Sequence, residues 1–233
     1  MRLKNISYAV ALLASSGLST VASAASWDVK ITNLTHGVYF TPLVVSAHNS
    51  STHVFQAGTT ASSSLRILAE CGVTSNLETD LSAANNHINP ASGPLAPGAN
   101  TTAMITTANN HLSIVAMLLP TNDGFVGIDA QEIPTAAGTY TFYAKAWDAG
   151  TEANNELMDT SGCAAGMAGI PADPTSAAGT GGGGVAGADT NTTVHIHRGV
   201  LGDSNSSGGA SDLSNTVHRW QNPVAKIEVT VTP

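Results

Sequence analysis

Strict alternation of apolar and polar positions appears wherever this chain has a visible period. Trp27, Val29 and Ile31 alternate with Asp28, Lys30 and Thr32, and Tyr140, Phe142, Ala144 and Ala146 alternate with Thr141, Tyr143, Lys145 and Trp147. The cleanest run sets Ala225, Ile227, Val229 and Val231 against Lys226, Glu228, Thr230 and Thr232. A period of two sends one set of side chains to a buried face, so each run predicts a strand of a half-buried sheet. Further strands are expected over 38–47, 101–107, 112–119 and 194–199, separated by segments rich in Gly, Pro, Asn and Ser. Seven or eight such strands predict an all-β antiparallel sandwich.

Helical spacing is convincing only in "ASSSLRILAECG", where Ser62 to Ser64 offer caps, Leu65, Leu68 and Ala69 share a face, and Gly72 stops the helix. One short helix is expected there, crossing between strands. From 159 to 189 the composition turns to Gly, Ala, Pro and Thr, with a glycine run from Gly181 to Gly184. Such a stretch buries little surface and is expected to be a flexible insertion.

The first 24 residues change the picture of destination. Arg2 and Lys4 precede an apolar run, and Ala22-Ser23-Ala24 follows, the arrangement of a cleaved signal peptide. The mature domain is then expected over 25–233, exported to the periplasm or outside the cell. The apolar run falls short of the roughly 20 residues that a spanning helix needs.

Removing that leader takes two of the eight basic side chains and none of the sixteen acids, leaving a charge of −10. Nucleic acid and anionic lipid are poor partners for that balance, and cations are good ones. The two cysteines, Cys71 and Cys163, are expected to pair in an oxidising compartment, the alternative being two separate buried thiols.

Charged residues make up only 10% of the chain, yet "WDAGTEANNE" gathers Asp148, Glu152 and Glu156 at the end of a strand. A second loop-like stretch, "PTNDGFVGID", follows an apolar strand and presents Asp123. Calcium takes six to eight oxygen ligands, which only converging loops can supply. The bland reading is that these acids cap turns.

The ordered set "DVKITNLTHGVYFTPLVVSAH", "LAECG", "PTNDGFVGID", "WDAGTEANNE" and "RWQNPVAKIEVTV" resembles the spondin N-terminal domain, a module of F-spondin-like matrix proteins and of exported bacterial proteins. That resemblance implies a C2-like antiparallel β-sandwich and a calcium ion held by Asp123, Asp148 and Glu152. It also implies an interaction or adhesion role toward an envelope protein or matrix component. Two positions depart from the animal pattern: Glu152 stands in place of Asp, and Gly124 in place of Trp. Three carboxylates with few fixed backbone ligands suggest affinity on the order of 10⁻⁴ to 10⁻³ M.

"TVHIHRG" offers a rival chemistry. On a strand, His195 and His197 share a face about 6.6 Å apart and could bind copper or zinc, although same-face histidines are more commonly half-buried, hydrogen-bonded residues. No nucleophile elbow, H-E-x-x-H helix or phosphate-binding glycine loop is present, so no catalytic function is expected.

Overall fold

The computed structural model describes residues 24–83, 87, 88, 91, 93–159, 169–171, 179–185 and 192–233. The leader, Cys163 and most of the expected insertion at 159–189 lie outside the described residues, so the Cys71–Cys163 pairing falls there too.

The described residues form ten strands and two helices: β1 (Ala25–Asn33), β2 (Tyr39–Phe40), β3 (Val44–His48), α1 (Ser63–Cys71), α2 (Ser75–Ala83), β4 (His87–Ile88), β5 (Asn100–Thr107), β6 (His111–Leu119), β7 (Gly124–Glu132), β8 (Gly138–Asp148), β9 (His195–Ile196) and β10 (Ala225–Thr232). Every strand pairing is antiparallel, in the order β4-β3-β6-β7-β8-β10-β1-β5, with β2 on β6 and β9 on β8. The sheet curls into a sandwich whose inner faces share one core.

The three clean alternations become β1, β8 and β10, and their registers align the apolar set: Ile31 opposite Ile227, Ile227 opposite Phe142, and Val29 opposite Val229. These side chains meet Phe40, Leu43, Leu112, Ile114, Ala116 and Leu118 from the other half of the sheet. In β6 every position from Leu112 to Leu119 is buried. Its second face is covered as well: Val115 packs with Val44, Phe125 and the α1 residues Leu65, Leu68 and Ala69. Burial on both faces explains why this strand reads as an unbroken apolar run.

Helix α1 starts where expected, with Ser62 Oγ accepting the Leu65 amide at 3.1 Å, and ends at Gly72 with φ +67°. The expectation of one helix is corrected: α2 follows after three residues, held by the buried pair Leu77 and Leu81. Two leucines among nine residues give too little period to mark it in sequence. A second correction concerns "PTNDGFVGID", of which only 120–123 form a turn; from Gly124 onward it is β7. Gly127 interrupts the β-like composition for a packing reason: a Cβ there would lie 2.8 Å from the Phe55 ring, which stacks edge-on against Phe125.

Asp129, on β7, fastens the loop before α1. Its carboxylate accepts the amides of Val54 and Phe55 and contacts His53 at 2.5 Å, while Ser113 links it to the buried ring of His48.

Candidate functional site

The turn after β6 is built by Thr121. Its hydroxyl donates to the Leu118 carbonyl at 2.5 Å and accepts the Gly124 amide at 3.0 Å. That turn ends with Asp123 beside the last residue of β8, since Gly124 pairs with Asp148 in the β7–β8 register. The structure therefore brings Asp123 and Asp148 together, both with about 1% or less of their surface exposed.

The two carboxylates are held differently. Asp123 Oδ2 accepts the amides of Thr151 at 2.7 Å and Glu152 at 3.0 Å, with the Thr151 hydroxyl at 3.2 Å. Asp123 Oδ1 is buried and has no hydrogen-bond partner among the described residues. Asp148 caps its own turn, accepting the Gly150 amide at 2.8 Å, and its other oxygen accepts Asn154 Nδ2 at 2.6 Å. The turn-capping reading is thus correct for Asp148, and it leaves Asp123 Oδ1 unexplained.

Glu152 leans toward the same loops. One oxygen accepts Asn122 Nδ2 at 3.4 Å and the Gly169 amide at 3.2 Å, and the other is buried without a partner among the described residues. Burial, followed by the charge of Asp148, pushes the Asp123 carboxyl up to about 6 despite the amides that favour its ionised form. Burial likewise pushes Glu152 up to about 7. Both shifts describe carboxylates that burial and neighbouring carboxylates make costly to ionise.

Glu156 belongs to this cluster and was not singled out by sequence reasoning as a site residue. It is buried, its backbone sits at φ +59°, and its carboxylate accepts the amides of Leu201 at 2.6 Å and Gly202 at 2.8 Å and the Ser211 hydroxyl at 2.6 Å. Asn122 joins the pieces, accepting the Glu156 amide at 3.2 Å and donating to Asn155 and Glu152. Only its membership of a rare acidic group marks Glu156 in sequence; the partners of its carboxylate lie at least 45 positions away.

His195 and His197 arrive at the same place, because β9 pairs His195 with Asp148. His195 Nε2 lies 3.8 Å from Asp148 Oδ2, and its Nδ1 contacts the Thr193 carbonyl at 2.8 Å. His197 is buried, and burial lowers its pKa to about 4, so the ring is neutral. Its Nδ1 accepts the Gly199 amide at 2.9 Å, which puts the ring proton on Nε2. A neutral imidazole bonded in this way offers no lone pair at Nε2 for a metal. The His197 ring also accounts for Gly124: a Cβ there would lie 3.0 Å from His197 Cδ2 and 2.7 Å from Thr121 Oγ1.

Among the described residues, no three His, Cys, Asp or Glu side chains are gathered closely enough to hold a metal ion by themselves. No described helix is long and apolar enough to cross a membrane.

The Spondin_N family model matches residues 30–163. The matched span contains Asp123, Asp148 and Glu152 and excludes both His195 and His197. No curated protein matches the chain.

Proposed function

The chain belongs to the spondin N-terminal domain family, whose members are non-catalytic extracellular domains, and from that premise we propose that it is an exported interaction or adhesion domain that holds calcium between the loops after β6 and β8. Asp123 and Asp148 would be the principal ligands, with Glu152 helping and other oxygens completing the shell that calcium requires. The observation that carries this reading is the burial of Asp123 against Asp148 with Asp123 Oδ1 unpartnered. A buried like-charge pair is costly unless a cation offsets it. The ion's role would be to offset the repulsion between the two carboxylates and so tighten loops already joined by hydrogen bonds. The partner would be an envelope protein or a matrix component outside the cell or in the periplasm.

Copper or zinc at His195 and His197 is the weaker reading, because His197 would first have to surrender its hydrogen bond with Gly199. Elemental analysis of the purified domain, with melting curves after chelation and after adding back calcium, copper or zinc, tests both. About one calcium per chain, with a melting temperature that drops on chelation, returns with calcium and does not respond in Asp148→Asn, supports the loop site. Bound zinc or copper lost in His195→Ala, with no calcium response, overturns it.

A further inference from the structure

The outward face of β8, β10 and β1 concentrates what the rest of the chain lacks. Tyr143, 55% exposed, stands on β8 directly opposite Lys226 on β10, which stands opposite Thr32 on β1. The next row is Thr141, Glu228 and Lys30, and the one beyond it is Thr139, Thr230 and Asp28. Lys145 lies two residues along β8 from Tyr143, on the same face. Half of the six basic side chains that follow residue 24 are therefore here. Two acids share the face, so it carries about one net positive charge on a chain that is otherwise strongly negative.

Tyr143 is also one wall of an open groove of about 450 Å³, lined with it by Lys145, Asn222 and Pro223. The remaining outward side chains are hydroxyls, and two of them, Thr139 and Thr230, are in contact at 2.9 Å. A flat ring with one cation across the sheet, another along its own strand and rows of hydroxyls beyond suits one kind of ligand. A pyranose stacks its C–H face on an aromatic ring, its carboxylates pair with lysines, and its hydroxyls exchange hydrogen bonds with threonines. Exposed apolar side chains stand at the border of these rows rather than at their centre: Met104 on β5, opposite Asp28, and Leu34, two residues beyond Thr32. Strands about 4.8 Å apart and same-face rows about 6.8 Å apart along them give an extended chain a repeat to follow.

We propose that this face binds a linear acidic polysaccharide, with Tyr143 as the stacking platform and Lys145 and Lys226 as the carboxylate partners. Glu228 holds Lys226 at 2.8 Å and competes with the ligand for it. The site is separate from the calcium loops and stands without them.

The test is affinity electrophoresis in chelator and low salt, through gels containing polygalacturonate or neutral dextran. Polygalacturonate should retard the protein and dextran should not, with the retardation lost at high salt. Tyr143→Ala should weaken binding about tenfold, the double variant Lys145→Ala/Lys226→Ala should abolish it, and Glu228→Gln should tighten it. Asp148→Asn should bind as the parent does, which separates this site from the acidic loops. The mutated lysines and tyrosine reach solvent, so melting temperatures should be unchanged. No retardation by polygalacturonate, equal retardation by dextran, or a Tyr143→Ala variant that binds like the parent overturns the proposal. Equal competition by poly-glutamate assigns the face to an acidic protein and overturns it too.

Discussion

Asp123→Asn should stabilise the domain when no cation is present. The parent carboxyl is shifted from an ordinary value near 3.8 to about 6 by burial and by Asp148. The sign follows from linkage: a carboxyl raised in the fold binds its proton more tightly folded than unfolded, so stability is lost as pH rises through the interval from about 4 to about 6. Some two units at about 1.4 kcal/mol each cap the neutral-pH cost near 3 kcal/mol. Asparagine keeps the shape, retains an oxygen for the Thr151 and Glu152 amides, and removes the charge. Its amide nitrogen would take the place of Asp123 Oδ1, which has no hydrogen-bond partner among the described residues, so a gain of about 1–2 kcal/mol is the expectation. For a domain of this size that is a rise in melting temperature of about 2–8 °C. Denaturant titrations in chelator at pH 7.5 and pH 5 measure it. The variant should lead at pH 7.5 and the gap should shrink at pH 5, where the parent is already protonated. Adding calcium should reverse the order, because only the parent keeps the full ligand set. A variant less stable than the parent in chelator at pH 7.5, or a gap unchanged between the two pH values, would refute the account of a repelling pair.

Other expectations follow from single contacts. Glu156→Ala leaves the Leu201 and Gly202 amides and the Ser211 hydroxyl without their acceptor, and should cost about 3 kcal/mol in a chemical melt. Gly124→Ala drives a methyl against Thr121 and His197 and should lower the melting temperature, with partial recovery in the double variant carrying His197→Ala. His197 is held neutral down to about 4, so its contribution to stability should fade as pH drops from about 6.5 toward 4, and His197→Gln should flatten that acid limb. If Cys71 and Cys163 are paired as expected, mass spectrometry should find no free thiol, and Cys71→Ser should lower stability by up to about 4 kcal/mol.

The fold was legible where one face of a strand meets solvent. In β1, β8 and β10 outward Lys, Thr and Asp mark every second residue, so the pattern declares itself. Elements covered on both sides, or tied down by few residues, were harder to see. Helix α2 rests on Leu77 and Leu81, and β7 carries two glycines because Phe55 and His197 occupy the space that their side chains would need. Asp123 and Asp148 could be singled out because acids are scarce in this chain. Their convergence with His195, His197 and Glu156 could not, since it is produced by strand pairing and hydrogen bonds across dozens of intervening positions.

The pairing of β9 with the end of β8 has a practical side. The backbone leaves the sheet at Asp148 and rejoins the same strand at His195, so the two ends of a 46-residue excursion are already clasped by hydrogen bonds. Glu156 and its partners at Leu201, Gly202 and Ser211 rivet the flanks a second time. A foreign peptide spliced into the excursion would begin and end at fixed points whatever its own length. The domain is in that sense a frame whose two anchor points are set by the strands around the excursion.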